Sequence, residues 1–157
     1  MLYSFEQNFN IFNMKNIIRI IDANLNRSRE GLRVVEDLVR FTLDDGDLTS
    51  QIKSARHEIT SLAGQLPLSE LELLDARDSK TDVGVELNSA SENLRISLSQ
   101  IAVANVRRAE ESMRVLEELS KLYDTNVALR FKRLRFRLYE LEKQVLTNLA
   151  KYETDKI

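Results

Sequence analysis

Asn24, Arg27 and Glu30 lie at three-residue intervals, and Asn105, Arg108 and Glu111 repeat the trio 81 residues later. These residue types handle phosphate. A guanidinium is a planar fork that donates two parallel hydrogen bonds to a phosphate or a carboxylate. An asparagine amide offers a donor and an acceptor to a polar ligand edge. On a helix that advances about 100° per residue, Asn24 and Arg27 fall within the arc marked by Ile20, Ile21, Leu32, Val34, Val35, Leu38, Val39 and Phe41. Asn105 and Arg108 fall likewise among Ile101, Val115, Leu116 and Leu119, while Glu30 and Glu111 sit at the border and Arg33 and Arg114 lie nearly opposite. An inward arginine must be paired, because stripping water from a charge is costly. Two readings follow. In one, Glu30 and Glu111 neutralise Arg27 and Arg108 in a buried network. In the other, the arginines and asparagines line a polar pocket between the two copies, open to an anionic ligand, with Gly31 and Ser112 leaving room. Arg56 and Arg135 lie beside apolar stripes and would extend such a pocket; each also reads as a surface side chain laid along apolar neighbours.

The stretch LLDARDSKTDVGVE (73–86) is too polar and too long for a simple connector, and long loops in compact domains are often functional. Asp75, Asp78 and Asp82 are candidate oxygen ligands for Mg²⁺. Arg77 is placed to meet phosphate, and Gly84 allows a tight turn. The same aspartates also fit ordinary turn chemistry. His57 is the single histidine and there is no cysteine, which excludes thiolate chemistry, disulfides and a multi-histidine metal site within one chain. No nucleophile–base pair is evident. There is no glycine-rich phosphate loop, so side chains and helix N-termini must hold any phosphate. In RFKRLRFR (130–137), Phe131, Leu134 and Leu138 form a core stripe and the arginines a solvated face.

The elements that position these residues are long helices, since only four glycines and one proline interrupt the chain. The pattern predicts helices over about 16–43, 48–66, 90–123 and 126–152, with a short one at 69–75 capped by Ser69. Ser89 with Glu92 forms a capping-box pattern; Asp47, and Asp124 or Thr125, are further candidate caps. Residues 22–41 align without gaps on 103–122, with eight identities in twenty positions, and 52–59 align on 131–138. Arg56 thereby matches Arg135. The chain therefore reads as all-α, a duplicated long-helix hairpin forming a pseudo-two-fold helical bundle. Residues 1–15 form an N-terminal arm, with Phe5, Phe9 and Phe12 available for packing and Met14 opening the regular pattern. Residues 16–152 form one domain, with repeat one at 16–66, a connecting loop at 67–88 and repeat two at 89–152; 153–157 is a tail.

The net charge of −2 gives no overall pull toward nucleic acid or an anionic membrane. No apolar run is long enough to span a bilayer, and the N-terminus has no secretory pattern. A cytoplasmic location is expected. The duplicated body is compatible with a homodimer.

The runs RIIDANLNRSREGLRVVEDLVRFTLDD (19–45), ARDSKTDVG (76–84), ANVRRAEESMRVLEELSKL (104–122) and LRFRLYELEK (134–143) together resemble a small all-α family. That family occurs alone or fused to the N-terminus of thiamin-phosphate synthase. The resemblance covers roughly 17–145. It implies a hydroxymethylpyrimidine-phosphate kinase of thiamin biosynthesis. ATP, with Mg²⁺, would phosphorylate 4-amino-5-hydroxymethyl-2-methylpyrimidine phosphate to the diphosphate, which thiamin-phosphate synthase uses; that enzyme is an expected partner. Within this reading Arg27, Arg108 and Arg77 are candidate phosphate clamps. Asn24, Asn105, Arg56 and Arg135 are candidates for substrate or nucleotide binding. Asp78, Asp82, Glu30 and Glu111 are candidates for the metal. Phosphoryl transfer to an already ionised phosphate needs charge neutralisation and alignment, not a base. Two other readings stand beside it. One is a Mg²⁺-dependent all-α nucleotide pyrophosphohydrolase, invited by Glu110, Glu111, Glu117 and Glu118. The other is a non-catalytic module that docks on thiamin-phosphate synthase.

Overall fold

A computed structural model describes residues 2–84 and 94–155, with side chains from residue 14 onward. Helix α1 spans Leu2–Leu38 and runs into a π-helical turn, Val39–Leu43. Asp44 ends that turn in the left-handed region at φ 52°, a conformation that aspartate tolerates better than most residues. Helix α2 spans Gly46–Ala63, α3 Glu70–Ala76, α4 Leu98–Ser120 and α5 Thr125–Thr154. No strand occurs among the described residues, and the fold is all-α.

The caps fix the corners. Asp45, not Asp47, starts α2 by accepting from the Leu48 amide at 2.9 Å. Ser69 and Glu72 form a complete capping box on α3, and Asp124 caps α5. Helix α4 begins at Leu98, later than the expected residue 90, because Ser97 is its cap; Ser89 and Glu92 lie outside the described residues. Glu153 on α5 reaches back to the α4 start and accepts from the Leu98 amide at 2.7 Å and the Ser99 hydroxyl at 2.6 Å. Helix α1 starts at Leu2 rather than near residue 16, since no glycine or proline interrupts the first turns; the side chains of Phe5, Phe9 and Phe12 lie outside the described ones.

Each long helix buries a seam whose spacing alternates between three and four. On α1 and its π-turn it is Ile18, Ile21, Leu25, Ser28, Leu32, Val35 and Val39. On α4 it is Ala102, Val106, Ala109, Met113, Leu116 and Ser120. The seams of α2 (Leu48, Ile52, Ala55, Ile59, Leu62) and α5 (Phe131, Leu134, Leu138, Leu141, Val145) have the same step. This is the heptad spacing of helices packed at a shallow left-handed angle. Helix α1 packs on α2, α3 and α4, and α5 packs on α4 and α2. The α1–α4 contact is close. A Cβ added at Gly31 would lie 2.5 Å from the Asn105 carbonyl oxygen, so this position needs glycine. Gly31 thus serves helix approach, not the room for a ligand that the sequence suggested, and Ser112 is buried with its hydroxyl donating to the Arg108 carbonyl at 2.8 Å.

The heptad seam also corrects the helical wheel. Ile20, Val34 and Phe41 are exposed, and so are Arg27 and Arg108. Including the three exposed apolar residues with the buried Ile21, Leu32, Val35 and Val39 widens the arc toward the arginines. The acidic and amide side chains that do go inside are Asp22, Asn24, Glu36, Glu110 and Glu117.

Candidate functional site

A series of polar contacts runs along α1 from the 75–84 loop toward α2. Lys15 pairs with Asp75 at 3.4 Å. Arg19 donates to the Asp78 carbonyl at 2.8 Å and lies 3.6 Å from Asp82. Arg77 grips buried Asp22 with two hydrogen bonds of 2.8 Å. Asn26 donates to Asp22, and Arg29 donates to Asn26 at 3.0 Å. The series ends in an open groove of about 460 Å³ lined by Arg29, Glu30, Arg33 and Arg56. The lining carries three guanidinium groups and one carboxylate; behind it Glu36 and Asp37 pair with Arg33, and Glu36 also pairs with Arg56. An arginine fork keeps further donors to offer an anion.

Beneath the groove lies Glu36, its side chain only 4% exposed. It accepts from Arg56 Nε at 2.9 Å and from Arg33 at 3.3 Å. The second repeat reproduces the device. Glu117 accepts from Arg135 at 2.8 Å and from Arg114 at 2.8 Å. Matching buried carboxylates, each bridging an outer arginine on the first helix and an inner one on the second, are the physical content of the duplication. A carboxylate bonded to two guanidinium groups is well compensated for its burial, and it fixes the angle at which each fork faces solvent.

The other predicted site residues are dispersed. Asn24 and Asn105 make the same bond in both repeats, each side-chain amide donating to the carbonyl four residues back at 2.8 Å. Neither lines the groove, and the Asn105 carbonyl faces Gly31 across the α1–α4 contact. Arg27 and Arg108 stand on the outer surface, so the buried network with Glu30 and Glu111 does not form. Arg77 is tied to Asp22 and holds the loop to α1. Asp78 accepts from the Thr81 hydroxyl and amide, which hold its carboxyl below the ordinary value. Asp82 accepts from the Gly84 amide at 2.9 Å. Both aspartates therefore follow the turn-chemistry reading. Among the described residues, no three acidic or histidine side chains gather as a metal site. Asp78 and Asp82 are spent on the loop, Glu111 is exposed on α4, and only Glu30 reaches the groove. His57 is exposed.

Of the two arginines expected to extend a pocket, Arg56 lines the groove and Arg135 lies on Glu117 in the second repeat; Arg29, Arg33 and Asp22 were not among the expected site residues. The signal for the buried pairs was present. Glu36 and Glu117 recur in the repeat together with Arg56 and Arg135, and a charge pair kept in both copies is a contact candidate.

The bundle and its groove define a duplicated all-α protein with arginines lining one open face. Residues 19–144 match the model of the ThiD2 family, and the chain belongs to that family. It is 43% identical over 130 residues to a thiamine-phosphate synthase of Synechocystis sp., across 83% of this chain and 36% of that protein. It is 42% identical over 130 residues to the thiamine-phosphate synthase of Nostoc punctiforme, across 83% of this chain and 35% of that protein. It is 33% identical over 136 residues to that of Rhodopirellula baltica, across 87% and 36%. The chain thus spans about a third of the length of these curated relatives. No solved structure matches it.

Proposed function

We propose that this protein acts in thiamin biosynthesis as a phosphomethylpyrimidine kinase. It would transfer the γ-phosphoryl group of ATP to hydroxymethylpyrimidine phosphate. The observation that carries the reading is the Arg29–Arg33–Arg56 groove, held in place by buried Glu36. The family membership and the thiamine-phosphate synthase relatives support the pathway. An oxygen of the acceptor phosphate attacks the γ-phosphorus, the bond to the β,γ-bridging oxygen breaks, and ADP leaves. The acceptor oxygen is already ionised, so no base is required. The task is to bring two polyanions together, and three arginines on rigid helices suit it. Arg29 and Arg33 project from successive turns of α1 and Arg56 from α2, so a phosphate chain could be held from two sides. The groove has one carboxylate, Glu30. It fits Mg²⁺ that arrives on the nucleotide with most of its ligands from phosphate and water, not an all-protein cage.

The test is ADP release from the purified chain with ATP and Mg²⁺, with the pyrimidine monophosphate, with the free pyrimidine alcohol, or with no acceptor. The kinase reading expects turnover with the monophosphate alone, lost in Arg33→Ala and Arg56→Ala. Turnover without acceptor would assign a nucleotide hydrolase instead. Folded protein with no turnover would leave a module that docks on the synthase, a reading favoured by relatives that carry the matched region as one third of a longer chain.

A further inference from the structure

The two repeats keep some positions and let others drift. On the buried seams Leu25 stands where the second repeat has Val106, Leu32 where it has Met113, and Val35 where it has Leu116. Cores accept such swaps when volume is kept. Five positions are identical although none is buried: Ile20 and Ile101, Ala23 and Ala104, Arg27 and Arg108, Glu30 and Glu111, Val34 and Val115. Surface substitutions usually cost little, so packing within the chain does not account for this identity.

The fold brings these positions onto one face. Gly31 meets the Asn105 carbonyl, and the Tyr123 hydroxyl donates to Met14 Sδ at 3.1 Å, so α1 and α4 run antiparallel. Arg27 and Val34 are the i−4 and i+3 neighbours of Gly31, and Ile101 and Arg108 are those of Asn105. In this register Ile20 comes level with Val115, Arg27 with Arg108 and Val34 with Ile101. The inner side of the α1–α4 contact is the core, so these residues share the outer side. Ile20 and Val34 are 44% and 38% exposed.

The same face carries two charges of each sign, Arg27, Arg108, Glu30 and Glu111, all exposed. Among the described residues none of the four makes a salt bridge or a side-chain hydrogen bond, whereas Arg33, Arg56, Arg114 and Arg135 each hold a carboxylate. A half-turn that exchanges α1 with α4 leaves this pattern of signs unchanged. The face therefore suits an isologous contact, in which one patch meets its own copy. Continued to exposed Phe41 and Leu122, it is roughly 30 Å long and about 18 Å wide. Two such faces together reach the lower end of the range of specific interfaces.

We propose that the outer face of α1 and α4 is the interface between two copies of this chain. Ile20, Val34, Ile101 and Val115 are covered there, and Arg27 and Arg108 pair with Glu30 and Glu111 of the partner subunit. Glu30 also lines the groove, so association brings an arginine of the partner subunit to the groove's rim. The association itself does not rest on the kinase reading.

The test is sedimentation velocity of the full chain, wild type and two double variants. Arg27→Glu with Arg108→Glu makes the face wholly acidic; Glu30→Arg with Glu111→Arg makes it wholly basic. Wild type is expected to dimerise with a Kd of about 1 μM. Each double variant alone weakens self-association about tenfold or more, because like charges then face each other, and an equimolar mixture of the two recovers the dimer. Far-UV circular dichroism checks that both variants fold. Arg133→Glu, on the exposed side of α5, leaves the Kd unchanged. Wild type that stays monomeric at about 0.1 mM, roughly a hundred times that Kd, overturns the proposal. So does a dimer that neither double variant weakens, or a mixture of the folded variants that associates no better than either alone.

Discussion

Gly31→Ala sets two known effects against each other. In a helix interior alanine is favoured over glycine by about 1 kcal/mol. Against that, the new Cβ would stand 2.5 Å from the Asn105 carbonyl oxygen and 3.5 Å from its carbon. These are backbone atoms of α4 and cannot rotate away. Reaching an ordinary C···O contact of about 3.3 Å requires α1 and α4 to separate locally by roughly 0.8 Å. Overpacking of a well-packed core costs about 1–3 kcal/mol. The α1–α4 contact joins the two repeats, and its seam residues Leu25, Leu32, Val106 and Ala109 are essentially buried, so the upper half of that range applies. The expected net loss is about 1–2 kcal/mol, or a fall in Tm of roughly 2–8 °C for a chain of this size. Urea unfolding followed by far-UV circular dichroism measures it. Gly46→Ala is the control. Nothing lies within 4 Å of its added Cβ and it sits in the first turn of α2, so it should be neutral or stabilising. If Gly31→Ala matched or exceeded wild type while Gly46→Ala behaved as stated, the close helix approach would be wrong.

The remaining expectations concern charges. Glu36→Ala leaves Arg56, whose side chain is 22% exposed, without its buried acceptor; a loss of about 2–3 kcal/mol is expected, below the full cost of breaking a deeply buried pair. Glu117→Ala should cost a similar amount, and a difference above about 2 kcal/mol in urea midpoints analysed at equal m-value would deny the equivalence of the two repeats. Burial pushes the Glu110 carboxyl up to about 7, helped by Glu142 and opposed by Arg107, with smaller effects of Glu111 and Arg135. The folded state then keeps a proton that the unfolded chain has released, so this group's contribution to stability falls as pH rises from about 4.5 to 7, by at most about 3 kcal/mol. Glu110→Gln should flatten the stability profile over that window; a profile unchanged from wild type would contradict the raised value. Asp22→Asn removes the charged partner of Arg77, which is itself nearly half exposed, so only about 1 kcal/mol of global stability is at stake. The sensitive readout is limited proteolysis, where cleavage within 77–84 should accelerate before the rest of the fold opens.

Much of the architecture was legible in the chain. Few helix breakers, caps such as Ser69 and Asp124, and the recurrence of residues 22–41 at 103–122 were enough for an all-α duplicated bundle. These features are local, or are comparisons of the sequence with itself, and the physics behind them acts within a few residues. The direction of each polar side chain was not local. Ile20, Val34 and Phe41 are apolar yet exposed, and they drew the wheel toward Arg27 and Arg108. Burial depends on the summed position of the neighbouring helices, and a heptad seam shifts the inner face away from an arc drawn through every apolar residue. The same holds for the loop. Asp78 and Asp82 had two chemistries open to them, and the structure shows the turn hydrogen bonds, from Thr81 and from Gly84. The sequence by itself determined the elements, their duplication and the absence of thiol or multi-histidine chemistry. Only the tertiary structure decided that Arg29, Arg33 and Arg56 meet in one groove over Glu36. Convergence from separate helices depends on packing angle and register, which no single segment encodes.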